Sequence, residues 1–179
     1  MGECDKKLPL DLEVPKEGMT LDLVLRPQEQ KNNEPVYWPL HIEGTPGEEF
    51  GNMHFKIHRK AELILRVKLD LSDVPGRELE FVRYRQGHKL DGLIALTPDF
   101  RHQFRARARE VDGDYTQLII RIKDRADIQD RFNFLWMCVD PETGMHFVSG
   151  DPQAVVDPIP IGGGGSSSGG SNSGSDGST

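Results

Sequence analysis

The feature that most restricts the fold is strict alternation of apolar and polar residues. Leu63, Leu65, Val67, Leu69 and Leu71 fall on one side of a segment whose other side carries Glu62, Arg66, Lys68 and Asp70. A strand sends successive side chains to opposite faces, so this segment lays one face on a core and the other in water. Shorter stretches repeat the pattern. Leu8, Leu10, Leu12 and Val14 alternate with Pro9, Asp11 and Glu13, and the prolines mark an edge strand or extended arm. Leu21, Leu23 and Leu25 form a second set, and Met53, Phe55 and Ile57 alternate with His54, Lys56 and His58. Sustained helical periodicity is scarce.

Turn residues divide the rest of the chain. Val74-Pro75-Gly76, Gln86-Gly87-His88 and Asp140-Pro141-Glu142-Thr143-Gly144 read as turns. Between them, Leu79 to Arg85, Leu93 to Leu96, Met145 to Val148 and Ala154 to Val156 read as strands. Phe132 to Val139 is apolar on both faces, which predicts a central strand covered on each side. Residues 28–51 read largely as loop, with one short strand at Val36-Tyr37-Trp38-Pro39-Leu40. The expected fold is all-β: a two-sheet antiparallel sandwich, immunoglobulin-like, built from about eight to ten strands.

Phe100 to Val111 admits two readings. Phe100, Phe104, Ala108 and Val111 would line one face of a helix; as a strand, Phe104, Ala106 and Ala108 oppose Arg105, Arg107 and Arg109. The following run, Leu118, Ile120 and Ile122, favours a hairpin. A three-residue loop at Asp112-Gly113-Asp114 sets Ala108 against Leu118, Ala106 against Ile120 and Phe104 against Ile122. A slip of one residue would bring arginines to the isoleucines instead.

Composition sets the outer limits. After Ile161 the chain is almost entirely Gly, Ser, Asn, Asp and Thr, so 1–161 is expected to fold as one domain and 162–179 to form a flexible tail. The net charge of −7 favours solubility and disfavours nucleic acid and anionic membranes as partners. No apolar run is long enough to span a bilayer, and residues 1–7 carry no apolar h-region, so a secretory signal is not expected. The two cysteines stand in unlike settings, Cys4 among polar residues and Cys138 in an apolar run; a disulfide is not expected, and a reducing cytoplasm fits.

Motifs assign no activity and no cofactor. His54 and His58, with Glu62 beyond, have the four-residue spacing of a helical metal site. In a strand that spacing separates the imidazoles by about 13 Å. The alternative to a binding module is a small metal-dependent or carbohydrate-acting enzyme on a cupin-like β-barrel, with His41, His54, His58, Glu62 and His146 converging through the fold. The first cupin motif sets its histidines two residues apart, not four. No nucleophile elbow occurs, and Cys138 beside Trp136 reads as a small buried hydrophobe. The arginines are more informative. Between Arg77 and Arg125 stand eleven Lys or Arg, among them Arg83, Arg85, Arg101 and Arg125, against eight Asp or Glu. The hairpin register sets Arg105 opposite Arg121, an unfavourable pair unless an anionic partner or a neighbouring carboxylate offsets it. Arg105, Arg107, Arg109 and Arg121 are therefore the candidate binding residues of a non-enzymatic interaction module with an acidic partner. Single-stranded nucleic acid is disfavoured, because no aromatics are interleaved with them.

The segments Phe132-Asn133-Phe134-Leu135-Trp136 and Ser149-Gly150-Asp151-Pro152-Gln153-Ala154-Val155-Val156-Asp157 resemble the ending of the bacterial DP-EP family, and Thr97-Pro98-Asp99-Phe100 falls within the wider likeness. The likeness covers residues 79–158, and residues 1–60 fall outside it. It implies an immunoglobulin-like sandwich and transfers no catalytic residue.

Overall fold

The computed structural model describes residues 9–32, 34, 36–84, 90–97, 103–123, 130–150 and 153–159. The expected tail, Cys4, Arg85, Arg101, Arg125 and the Asp151-Pro152 pair lie outside the described residues. Within them there is no helix. The strands are β1 (Leu10–Val14), β2 (Met19–Leu25), β3 (Leu40–Ile42), β4 (Glu49–Phe50), β5 (Met53–His58), β6 (Glu62–Leu69) and β7 (Glu80–Phe81). They continue as β8 (Leu93–Ala95), β9 (Phe104–Val111), β10 (Asp114–Lys123), β11 (Asp130–Val139), β12 (His146–Val148) and β13 (Gln153–Ile159). One sheet runs β1-β5-β13-β11-β12, with β7 and β8 also paired to β11; the other runs β4-β3-β2-β6-β10-β9.

The sheets are mixed, which corrects the antiparallel expectation. β1, β5 and β13 are mutually parallel neighbours in one sheet, and β2 and β6 are parallel in the other. The cause is a pair of stacked arches. β1 crosses to β2 in the opposite sheet, and β5 crosses to β6 in the same way, so each arch contributes a parallel partner to both layers. The two bends touch closely. Gly18 has φ 88°, and a Cβ there would sit 2.8 Å from the Glu62 carbonyl oxygen. Only glycine adopts that backbone and leaves that space without strain.

The layers are two open sheets rather than a cupin-like barrel, and they enclose one core. Leu23, Leu63, Leu65, Val67, Leu118 and Ile120 of one sheet meet Phe55, Ile57, Phe134 and Trp136 of the other. An aromatic ladder stitches the layers together. Phe104 of β9 stacks on Phe132 of β11 with centroids 4.2 Å apart, Phe132 stacks on Phe134 at 5.3 Å, and Phe134 meets Trp136 edge-on at 5.1 Å. β11 is central because both of its edges are occupied: Cys138 faces Phe147 of β12 on one side and Phe81 of β7 on the other. Its inner face is buried, whereas Leu135, Met137 and Val139 on the outer face are half-buried. Lateral pairing, not cover on both faces, explains the apolar run. Cys138 is fully enclosed, and burial pushes its thiol up, away from the reactive thiolate.

Segments without strong alternation differ most from expectation. Val36 forms only a bridge to Ser149, while the third strand begins at Leu40; the run from Leu79 shortens to β7. β13 continues through Pro158. The β11 ladder ends at the Asp130–Val156 pair, so the proline removes no donor from it.

The Asp140 turn carries a pH signature. Burial pushes the Asp140 carboxyl up, but the Thr143 N–H and hydroxyl, the Glu142 N–H and the nearby Arg77 outweigh it, so its pKa falls below the ordinary value. Its oxygen accepts the Glu142 and Thr143 N–H groups at 2.9 and 3.2 Å. A depressed carboxylate contributes stability that is present above its unfolded pKa and is lost as pH falls through the folded one. Asp140→Asn should therefore melt below wild type at pH 6, with the gap closing as the pH falls below the ordinary aspartate range. A gap that widens in acid would reverse the sign of this contribution.

Candidate functional site

The hairpin of β9 and β10 adopts the pairing that the apolar pattern selects. Ala108 faces Leu118, Ala106 faces Ile120, Phe104 faces Ile122, and Arg105 stands directly opposite Arg121. The turn is tighter than the three-residue loop expected. Val111 pairs with Asp114 across Asp112 and Gly113, whose φ values of 54° and 100° fit a two-residue primed turn. A bulge between Asp114 and Gln117 absorbs the extra residue and restores the predicted faces.

Ala106, Ile120 and Ile122 are buried, and Arg105, Arg107, Arg109 and Arg121 are exposed on the opposite face. Lys123 joins them. Neighbouring strands offset this charge unevenly. The Glu62 carboxylate of β6 lies 3.4 Å from Arg121 and 3.5 Å from Lys123. Arg107 lies 3.9 Å from Asp91. Among the described residues, no carboxylate meets Arg105 or Arg109. Cations deeper in the sheet are already matched: Arg66 makes two 2.6 Å bonds to Asp22, and Lys68 lies 2.7 Å from Glu43. The hydrogen bond from Arg66 holds the Asp22 carboxyl below its ordinary range. On the outer face of this sheet, the cations without a carboxylate among the described residues are thus Arg105 and Arg109 of β9. Beyond the bulge, the Arg83 guanidinium stacks 3.5 Å from the Tyr115 ring centroid.

Asp91, which no sequence motif singled out, fixes this margin. It is buried, its N–H donates to the Ala106 carbonyl at 3.2 Å, and its carboxylate accepts the N–H groups of Ala108 and Tyr84, each at 3.0 Å. β9 is the outermost strand of its sheet, and Asp91 occupies the middle of its free edge. In sequence it is one acidic residue before a glycine, which reads only as a turn.

The candidate metal ligands do not converge. His54 and His58 lie on β5 in one sheet, Glu62 on β6 in the other, and His146 is exposed on β12; no group of three ligands meets among the described residues. His54 is instead bridged by carboxylates. Its Nδ1 lies 2.7 Å from Asp11 of β1 and its Nε2 lies 2.5 Å from Asp157 of β13. One ring thus links three parallel strands, and each ring nitrogen faces a separate carboxylate. Beside it, Glu13, Lys56, Asp157, Pro158 and Ile159 line an open cleft of about 410 Å³. His41 is buried on β3, apart from the others.

No protein-family model matches the chain, and no curated protein matches it. No helix among the described residues is long and apolar enough to cross a membrane.

Proposed function

We propose that this protein is a non-enzymatic interaction module that binds an acidic macromolecular partner through the outer face of the β9–β10 hairpin. The observation that carries this reading is the pair of exposed arginines, Arg105 and Arg109, with no carboxylate partner among the described residues. Both stand on the outermost strand, whereas Arg66, Lys68, Arg121 and Lys123 each lie within 3.5 Å of a carboxylate. A concentrated positive face on a chain of net charge −7 steers an anionic partner into a defined orientation. The fold reading that accompanies it is an immunoglobulin-like sandwich similar to the DP-EP proteins, supported by two sheets around one core and by β11 and β13 at the resembling segments. Cysteine usage supports a reducing, cytoplasmic setting.

Poly-L-glutamate serves as the probe. It should bind the full chain with an affinity that falls as salt rises. The double variant Arg105→Glu, Arg109→Glu should slow association by about tenfold or more at low salt and flatten that dependence. Its thermal midpoint should stay near wild type, since exposed charges contribute little to stability. Salt-independent binding, or binding unaffected by the double variant, would remove this face from consideration.

A further inference from the structure

We infer that the partner is an extended protein segment with an acidic side chain at every second residue, lying across the hairpin face. This deepens the reading above and rests on it. Arg105, Arg107 and Arg109 are successive outward positions on one strand, so their Cβ atoms repeat every 6.8 Å or so. An extended peptide presents alternate side chains at the same interval, so carboxylates can meet Arg105 and Arg109 directly and Arg107 alongside its 3.1 Å bond to the Ala106 carbonyl and its 3.9 Å approach to Asp91. The Arg105–Arg121 pair adds a place where one carboxylate meets two guanidiniums, Arg121 sharing its charge with Glu62 at 3.4 Å, because cross-strand neighbours stand within reach of a single anion.

The rest of the face fits the same partner. The outward positions of β10 opposite Arg107 and Arg109 are Ile119 and Gln117. They offer a half-buried apolar floor and an amide that can hydrogen-bond a peptide backbone. No aromatic occupies any of these six positions, so bases would find no stacking surface. Addition of the segment as a further strand is blocked at the middle of β9. The Ala106 carbonyl and the Ala108 N–H already bond Asp91, so the segment lies over the side chains and not along the edge.

The test compares two fluorescently labelled peptides of identical composition, one alternating Glu and Thr and one with the glutamates in a single block, by anisotropy with the full chain. The alternating peptide should bind at least about fivefold tighter, the worth of one or two additional exposed ion pairs. Arg109→Glu, checked for an unchanged melting midpoint, should erase the preference. Equal affinity for the two peptides would overturn the spacing inference while leaving an acidic partner in place. Failure of both peptides and of poly-L-glutamate to bind would overturn the two readings together. A single-stranded DNA oligonucleotide of equal charge that binds tighter than the alternating peptide would overturn the protein partner.

Discussion

Phe134→Ala should lower the free energy of unfolding by about 3–5 kcal/mol, the cost of deleting a fully packed aromatic. Phe134 is 2% exposed and sits between Phe132 and Trp136 in the ladder that crosses the two sheets. Its removal opens a cavity where β11, gripped on both edges, cannot collapse inward. It also ends two aromatic contacts, each worth about 0.5–1.5 kcal/mol beyond burial. Urea denaturation followed by tryptophan fluorescence measures the loss. A change below about 1 kcal/mol, the size of an average substitution, would show that this ring is not at the centre of the core.

Asp91→Ala should be comparably damaging, although it removes only a small polar side chain. The part-buried Tyr84 and Ala108 N–H groups would lose their acceptor; a fully buried unsatisfied donor costs about 1–3 kcal/mol, and water reaching these two lowers that. The expected loss is therefore about 1–4 kcal/mol. Asp91→Asn should recover at most part of it, because the amide offers one acceptor oxygen and sets a donor against the second N–H. The alanine variant also frees the Ala108 N–H on the β9 edge, and exposed strand edges recruit other chains. Light scattering should detect more self-association in the variant than in wild type. A fully monomeric Asp91→Ala protein of wild-type stability would mean that Asp91 neither holds nor guards the edge.

The parts of the fold legible in the sequence are those governed by face alternation. The Ala108–Leu118 and Arg105–Arg121 pairings follow from the cost of turning a strand over, whatever turn the chain uses, and for that reason they survive a tighter turn and a bulge. Strand direction left no such trace. Leu23 and Leu65 alternate with polar neighbours in the same way whether β2 and β6 run parallel or antiparallel, since burial of one face is indifferent to polarity. The candidate site divides along the same line. The arginine face is local, so periodicity locates it. The offset by Glu62, the clamp by Asp91 and the bridging of His54 depend on partners far along the chain, Asp157 lying 103 residues from His54. Spacing could reject His54, His58 and Glu62 as a helical metal site, but it held no means of pairing His54 with Asp11 and Asp157.

The three parallel strands have a mechanical meaning. β5 lies between β1 and β13, and all three point the same way. Tension drawing the start of β1 away from the end of β13 would act along the strands, sliding β1 backward and β13 forward against a common neighbour. Bonds in both ladders would then share the force at once, where a hairpin pulled apart at its open end gives way one rung at a time. The His54 ring, gripped by Asp11 on one side and Asp157 on the other, lies across that slip plane as a pin through three sliding plates. Extension between β1 and β13 would thus load the ladders in shear, a direction that neither heat nor denaturant probes.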